Sequence, residues 1–279
     1  MTNKNLVFQY KHILKHDDNH TVDNLSHKQL YFRDPDAFED NDDFNIMIYE
    51  TMTEEKIIEL IALKKKCDPS KANEILNDYV NNGTVKKEGN IYTYYQKVKK
   101  LTRVCCFSKT CNSRKMWEKH ADNHQGICLC FQYIEETNPG DYNKYIFTQQ
   151  GVVCPLYDVI YVPSFNDPDA IDMSNNYRHT QAFDRGRTKK NDYIFEEECR
   201  IIYSRHVLEN DILNYFESDL RGIIFGSRIT RENAELVYKT IRENYEVTVE
   251  FYKSIETSDR DTVKIEKIPE FGEYIQSLT

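Results

Sequence analysis

Apolar and polar positions recur with two periods along the chain, and the period names the element. Leu6-Val7-Phe8-Gln9-Tyr10 reads as a strand and Gln29-Leu30-Tyr31-Phe32-Arg33 as another. Thr51-Met52-Thr53-Glu54 has the form of a capping box, and Ile57, Leu60 and Ile61 follow at helical spacing. A second helix is expected from Ser70 to near Gly83, with Ile75, Leu76 and Tyr79 on its apolar side. Strand character returns over Arg103 to Ser108, a short helix over Arg114 to Ala121, and strands over Gly126 to Tyr133 and Gly151 to Val162. Glu197 to Ser204 is a further strand, centred on Ile201, Ile202 and Tyr203.

The last third has the clearest local logic. Gly222-Ile223-Ile224-Phe225-Gly226 is a short apolar strand, and Thr230 caps a helix with Ala234, Val237, Tyr238 and Ile241 on one face. Val247, Val249 and Phe251 then alternate with polar residues, as a half-buried strand should. This run is compatible with a parallel crossover. Strands early and late with helices between them predict an α+β fold, a single mixed-sheet domain over residues 1–279. Residues 51–100 form a mainly helical insertion in it. A doubly wound α/β sheet is the alternative. No repeat, low-complexity tract or Pro/Gly-rich linker marks a boundary.

Composition narrows the class. The chain has 279 residues, 39 % apolar and 30 % charged, with 20 Tyr and 14 Phe beside one Trp, so its core leans on aromatics. With 46 acidic and 37 basic side chains the net charge is −9, which argues against broad electrostatic binding to nucleic acid. No window approaches eighteen consecutive apolar residues, so no membrane-spanning helix is expected. Met1-Thr2-Asn3-Lys4-Asn5 lacks the apolar stretch of a secretory signal, and a cytoplasmic protein is expected. The eight cysteines sit largely in apolar runs such as Val104-Cys105-Cys106-Phe107 and Ile127-Cys128-Leu129-Cys130-Phe131, the setting of buried thiols rather than disulfides. Cys106, Cys111, His120 and His124 offer zinc-ligand types, but the gap between Cys111 and His120 is short for a finger.

Two segments carry candidate chemistry. In Tyr193-Ile194-Phe195-Glu196-Glu197-Glu198-Cys199-Arg200, a strand would project Glu196, Glu198 and Arg200 from one face. Three charges there cost energy unless they pair or do chemistry; the alternative is a solvated edge strand with a Glu–Arg pair. Ahead of them lie Arg185, Arg187, Lys189 and Lys190, interrupted by Gly186, a mobile basic loop suited to a negatively charged substrate. The second segment joins Ser108 to Trp117, His120 and His124, where Trp117 and His120 share a helical face and His124 joins if the helix continues. Such a face could receive a planar ring such as nicotinamide or adenine; the alternative is a core Trp with a capping His. The acidic stretch Asp34, Asp36, Glu39, Asp40, Asp42 and Asp43 lacks the calcium-loop pattern and reads as a solvated loop. No Walker loop, Gly-x-Gly-x-x-Gly, His-Glu-x-x-His or Gly-x-Ser-x-Gly occurs.

In order, Phe8-Gln9-Tyr10-Lys11, Leu30-Tyr31-Phe32-Arg33-Asp34-Pro35, Cys106-Phe107-Ser108, Met116-Trp117-Glu118-Lys119-His120-Ala121 with His124 and Gly126, and Tyr193 to Arg200 resemble the motifs of a bacterial family catalogued as a domain of unknown function. The resemblance runs from about residue 7 to residue 226. It departs at Lys119-His120, where the family has His-Tyr, at Arg33 for a serine, and at Cys199 for a second Trp. The order of features is similar, at a second level, to the ADP-ribosyltransferase plan. That similarity implies NAD as substrate, with no metal. It implies Glu198 and Glu196 as catalytic carboxylates, and Tyr10, Ser108, Trp117, His124 and Arg200 at the NAD site. Arg185, Arg187, Lys189 and Lys190 would then read an acidic or nucleic-acid target, in a toxin or phage-defence effector with an antitoxin or operon partner. A metal-dependent nuclease or phosphodiesterase and a non-catalytic regulatory binding module are the alternatives.

Overall fold

The computed structural model describes residues 5–13, 20–38, 40, 42–136, 144–164, 170–173, 183–205, 207–208 and 210–278. Glu39 of the acidic stretch lies outside them. The chain divides into two compact units: Met1–Arg33, Arg103–Tyr161 and Lys190–Thr279 make the first, Asp34–Thr102 and Val162–Lys189 the second.

The first unit is built on an eight-stranded sheet. Its strands in chain order are β1 (Leu6–Lys11), β2 (Thr102–Ser108), β3 (Ile127–Gln132), β4 (Tyr157–Asp158), β5 (Glu198–Ser204), β6 (Leu220–Phe225), β7 (Glu250–Glu256) and β8 (Val263–Lys267). Across the sheet they run β4-β5-β2-β1-β3-β6-β7-β8. The β4–β5, β1–β2, β1–β3, β3–β6 and β7–β8 pairs are antiparallel, and β6–β7 is parallel. This is an α+β sheet; a doubly wound sheet would be mostly parallel. The parallel β6–β7 pair is joined by the strand–helix–strand run of the last third. The helix Arg231–Asn244 is capped by Thr230 and buries Ala234, Val237, Thr240 and Ile241. The strand after it starts at Glu250 rather than at Val247, whose side chain is exposed.

The central strands are apolar on both sides because both faces are covered. Ile127, Leu129 and Phe131 of β3, Ile223 and Phe225 of β6 and Phe251 of β7 share one core. The intervening Cys128, Cys130, Ile224 and Tyr252 join Phe8, Tyr10, Met116 and Trp117 in the other. The alternation is what a pleated strand requires.

The second unit contains the helices Glu54–Lys65 and Pro69–Asn81. Thr53, not Thr51, is the N-cap of the first: its side chain accepts from the Lys56 N–H, whereas Thr51 lies inside the strand Met47–Thr53. The segment expected as a mainly helical insertion also holds strands. Ile171–Asp172, Met47–Thr53, Ile91–Lys97 and Val85–Glu88 form a four-stranded sheet, and Ile57, Ile61, Ala72, Leu76, Val85 and Tyr92 make a core of their own. Among the described residues no helix is long and apolar enough to cross a membrane.

Candidate active site

The site of the first unit begins where β5 starts. Glu196 does not lie on that strand: it ends the 3-10 helix Asn191–Glu196, and Glu197 follows in the left-handed region at φ 42°. The kink is fixed from β2. The Ser108 hydroxyl donates to the Glu196 carbonyl at 2.7 Å, and the Lys109 N–H donates to the Glu197 carbonyl at 2.9 Å. The expected single face of Glu196, Glu198 and Arg200 is therefore split, because alternation holds only inside a strand.

Glu198 and Arg200 do share a face. The guanidinium donates from Nε to Oε1 and from Nη2 to Oε2, both at 2.8 Å, and both side chains are buried, Arg200 completely. A bidentate pair of this kind is the geometry in which a buried charge is tolerated. The Glu198 N–H donates to the Tyr161 hydroxyl at 2.8 Å. The solvated edge strand is excluded, since Glu196, Glu198 and Arg200 are all buried.

Glu196 turns the other way, toward the short helix Arg114–His120, where its Oε1 lies 3.3 Å from Nε2 of His120. His120 is 41 % exposed and Glu196 only 7 %, so the imidazole is the solvent-facing member of the pair. In the tautomer that carries its proton on Nε2 the ring donates to Glu196 and leaves Nδ1 as the acceptor nitrogen. The sequence reading placed His120 on the face of Trp117. The helix instead turns Trp117 inward and His120 toward the 3-10 segment.

Trp117 is fully buried. Its Nε1 donates to the Cys111 carbonyl at 2.9 Å, Tyr10 packs edge-on at 5.2 Å between centroids, and His124 stacks on it at 6.3 Å with planes 12° apart. The Tyr10 hydroxyl donates to the Thr110 carbonyl at 3.1 Å. Protein groups cover the indole, which in this conformation presents no open face to a planar ligand. His124 reaches Trp117 through a turn, not by continuation of the helix. Asp122, Asn123 and His124 have φ of 49°, 49° and 68°, a left-handed run that costs roughly 1–2 kcal/mol per residue in the absence of compensation. Compensation comes from four hydrogen bonds: His124 N–H to the Trp117 carbonyl, Gly126 N–H to Ala121, Arg228 N–H to His124 and Gly226 N–H to Gly126. Two glycines make the approach feasible, because a Cβ at Gly126 would lie 2.2 Å from the Lys11 carbonyl oxygen and one at Gly226 2.0 Å from that of His124. Both ring nitrogens of His124 are buried without a hydrogen-bond partner, and desolvation lowers its pKa.

The basic stretch belongs to the second unit apart from Lys190. It is not an exposed loop. Residues 183–186 are helical and Thr188–Lys190 is a strand. Arg185 and Lys189 are buried, Arg187 donates from Nε to Asp184 at 3.0 Å, and Lys189 lies 3.8 Å from the buried Asp43. Nearby carboxylates and packing, as of Gly186 against Phe44, draw these cations inward. The acidic stretch likewise does local work: Asp34 caps the 3-10 turn Pro35–Ala37 and Asp40 accepts from the Asp42 N–H.

The eight cysteines are unbridged. Burial pushes the Cys105 thiol to about 12 and those of Cys111 and Cys154 to about 11, so these three are protonated at neutral pH and are poor nucleophiles. Among the described residues no three His, Cys, Asp or Glu side chains come together as a metal site, and Cys111 packs in the Trp117 core. The sequence reading missed the His120–Glu196 pair. The signal available to it was a helical row ending in His120.

No family model matches the chain, and neither a curated protein nor a solved structure matches it.

Proposed function

We propose that the chain is an NAD-cleaving enzyme of the ADP-ribosyltransferase kind, with its reacting centre at the start of β5. The observation that carries this is convergence. Two charged pairs flank the start of β5, His120 with Glu196 and Arg200 with Glu198, three of the four side chains buried and the imidazole facing solvent, and Ser108 from β2 holds the Glu196 backbone between them. Buried charges gathered this way are characteristic of sites that do chemistry.

In this reading the bond between nicotinamide and ribose breaks and its electron pair leaves with the nicotinamide nitrogen. The ribose develops oxocarbenium character. Glu198, oriented by Arg200, stabilises that positive charge. The acceptor, water or a target nucleophile, adds to the same carbon and gives its proton to His120, whose imidazolium is stabilised by Glu196. Nicotinamide release should therefore occur without added metal. Glu196→Gln should slow it at least about a hundredfold, the lower range for a removed acid–base group. Release undiminished in Glu196→Gln would refute the role given to the pair.

The burial of Trp117 and the bidentate hold on Glu198 favour a second reading, a binding module in which the cluster is a structural clamp. That reading gains if the wild type releases no nicotinamide and NAD does not raise its melting temperature.

A further inference from the structure

The surface beside His120 has a feature that the pairing of charges elsewhere in the chain makes conspicuous. Lys115 and Lys119 stand one turn apart on the helix Arg114–His120, both exposed, on the side of the 3-10 segment. The Lys115 ammonium lies 5.4 Å from the centroid of Phe195. That of Lys119 lies 4.8 Å from Phe195 and 5.7 Å from Tyr193. Neither is paired with a carboxylate among the described residues, whereas most lysines of the helices and sheets around them are, as Lys109 is with Asp158 and Lys267 with Glu250. Two cations held by half-buried aromatic rings, in a chain of net charge −9, make a local positive shelf that ends at His120 and Glu196.

We propose that this shelf, not the 185–190 segment, binds the phosphate groups of the ligand whose reacting carbon is presented to His120 and Glu196. The proposal rests on the reading of that pair as the reacting centre. Phosphate is the ligand chemistry that uses both properties present. Lysine supplies a mobile point charge for it, and the aromatic rings hold the ammonium groups at the surface so that little freedom is lost on binding. An acidic peptide would find no bidentate arginine here, and the arginine nearest in sequence, Arg114, is committed to Glu256 at 3.2 Å. The diphosphate of a dinucleotide and the backbone of a nucleic acid share this chemistry, and the experiment separates them.

Titration calorimetry with ADP, with adenosine as its phosphate-free counterpart, is compared between wild type and the double variant Lys115→Gln/Lys119→Gln. Both positions are exposed, so the variant should melt with the wild type. The expected result is ADP binding weakened roughly tenfold in the variant, as for the loss of two surface charge contacts, with adenosine unaffected. A wild type that binds ADP no better than adenosine, or a variant that binds ADP as the wild type does, overturns the shelf. A short single-stranded oligonucleotide that displaces ADP and loses affinity in the same variant supports the shelf and makes nucleic acid the source of the phosphates. Nicotinamide release keeps the two claims apart. No release by wild type, with ADP binding lost in the variant, refutes the reaction and leaves the shelf. Release by the variant with an unchanged KM for NAD refutes the shelf and leaves the reaction.

Discussion

Glu198→Gln is the natural first variant for a catalytic carboxylate, and the structure predicts that it perturbs stability as well as chemistry. The Arg200 guanidinium is fully buried, and it spends two hydrogen bonds of 2.8 Å on the two oxygens of Glu198. Glutamine has the same shape but one acceptor oxygen and no charge. Its amide N–H₂ would face a guanidinium N–H where Oε2 or Oε1 now accepts. Removing one partner of a buried pair costs about 3–5 kcal/mol, and the surviving acceptor places this substitution near the lower end, about 3 kcal/mol. For a folding unit of this size each kcal/mol moves the midpoint by about 2–4 °C, so the melting temperature should fall by about 6–12 °C. The double variant Glu198→Leu/Arg200→Met removes both charges together, and it should recover most of that loss, because an apolar pair of similar volume is often neutral or stabilising. Calorimetry on wild type, Glu198→Leu, Arg200→Met and the double variant gives the coupling energy directly. A coupling below about 0.5 kcal/mol would mean that the pair does not hold the start of β5, and the account of the clamp would fail. The same four proteins separate the functional readings. A double variant that is folded but releases no nicotinamide points to chemistry at Glu198, and one that turns over normally makes the pair structural.

Three further outcomes follow from the same geometry. Gly226→Ala should destabilise the first unit by about 3–4 kcal/mol in urea denaturation, since its Cβ would stand 2.0 Å from a backbone oxygen that cannot swing away; a loss under 1 kcal/mol would contradict the packing of the turn against β6. His124 is buried with a depressed pKa, so the unfolded chain takes up a proton near pH 6.5 that the folded chain refuses; stability should be complete above the unfolded value and fall as the pH drops through it, and His124→Asn, which tolerates a left-handed φ, should flatten that acid slope. The slope is set against Glu256 and Glu118, which favour the imidazolium, and Arg228 and Arg114, which oppose it, and an unchanged slope in the variant would place the acid sensitivity elsewhere. Trp117 is the one tryptophan of the chain and is fully buried, so its emission should be blue-shifted in the native protein and should not be quenched by saturating NAD; strong quenching on binding would show that the indole is reachable by the ligand.

What the sequence by itself determined is local. Periods of two and of 3.6 residues placed β1, β2, β3, β5, β6 and the helices Arg114–His120 and Arg231–Asn244 within a residue or two. The reason is that alternation and the helical stripe are consequences of burial that act within a few residues. The parallel crossover was legible for the same reason, a strand, a capped amphipathic helix and a second strand in immediate succession. The cysteine-rich runs announced buried thiols because free cysteine packs as a small hydrophobe.

Only the tertiary structure decided where the charges go. A run of three glutamates and an arginine cannot reveal that its first member leaves the strand, because the left-handed kink at Glu197 is held by Ser108, the last residue of β2, and Lys109 after it, which lie far away in sequence. The partner of Glu196 comes from a helix 76 residues earlier. The stack of His124 on Trp117 depends on Gly226, a century of residues downstream of Gly126, yielding room for a carbonyl oxygen. The cluster of Arg185, Arg187 and Lys189 looked exposed because charge runs usually are, yet Arg185 and Lys189 are buried and Arg187 is half-buried, and Asp43 and Asp184 are close enough to take two of the cations. Conversely, the lysines that the fold leaves facing solvent, Lys115 and Lys119, sit in a stretch the sequence marked only by its tryptophan and histidines. Hydrophobic pattern is a property of neighbours along the chain. Charge pairing and desolvation are properties of neighbours in space, and the candidate site is built from the second kind.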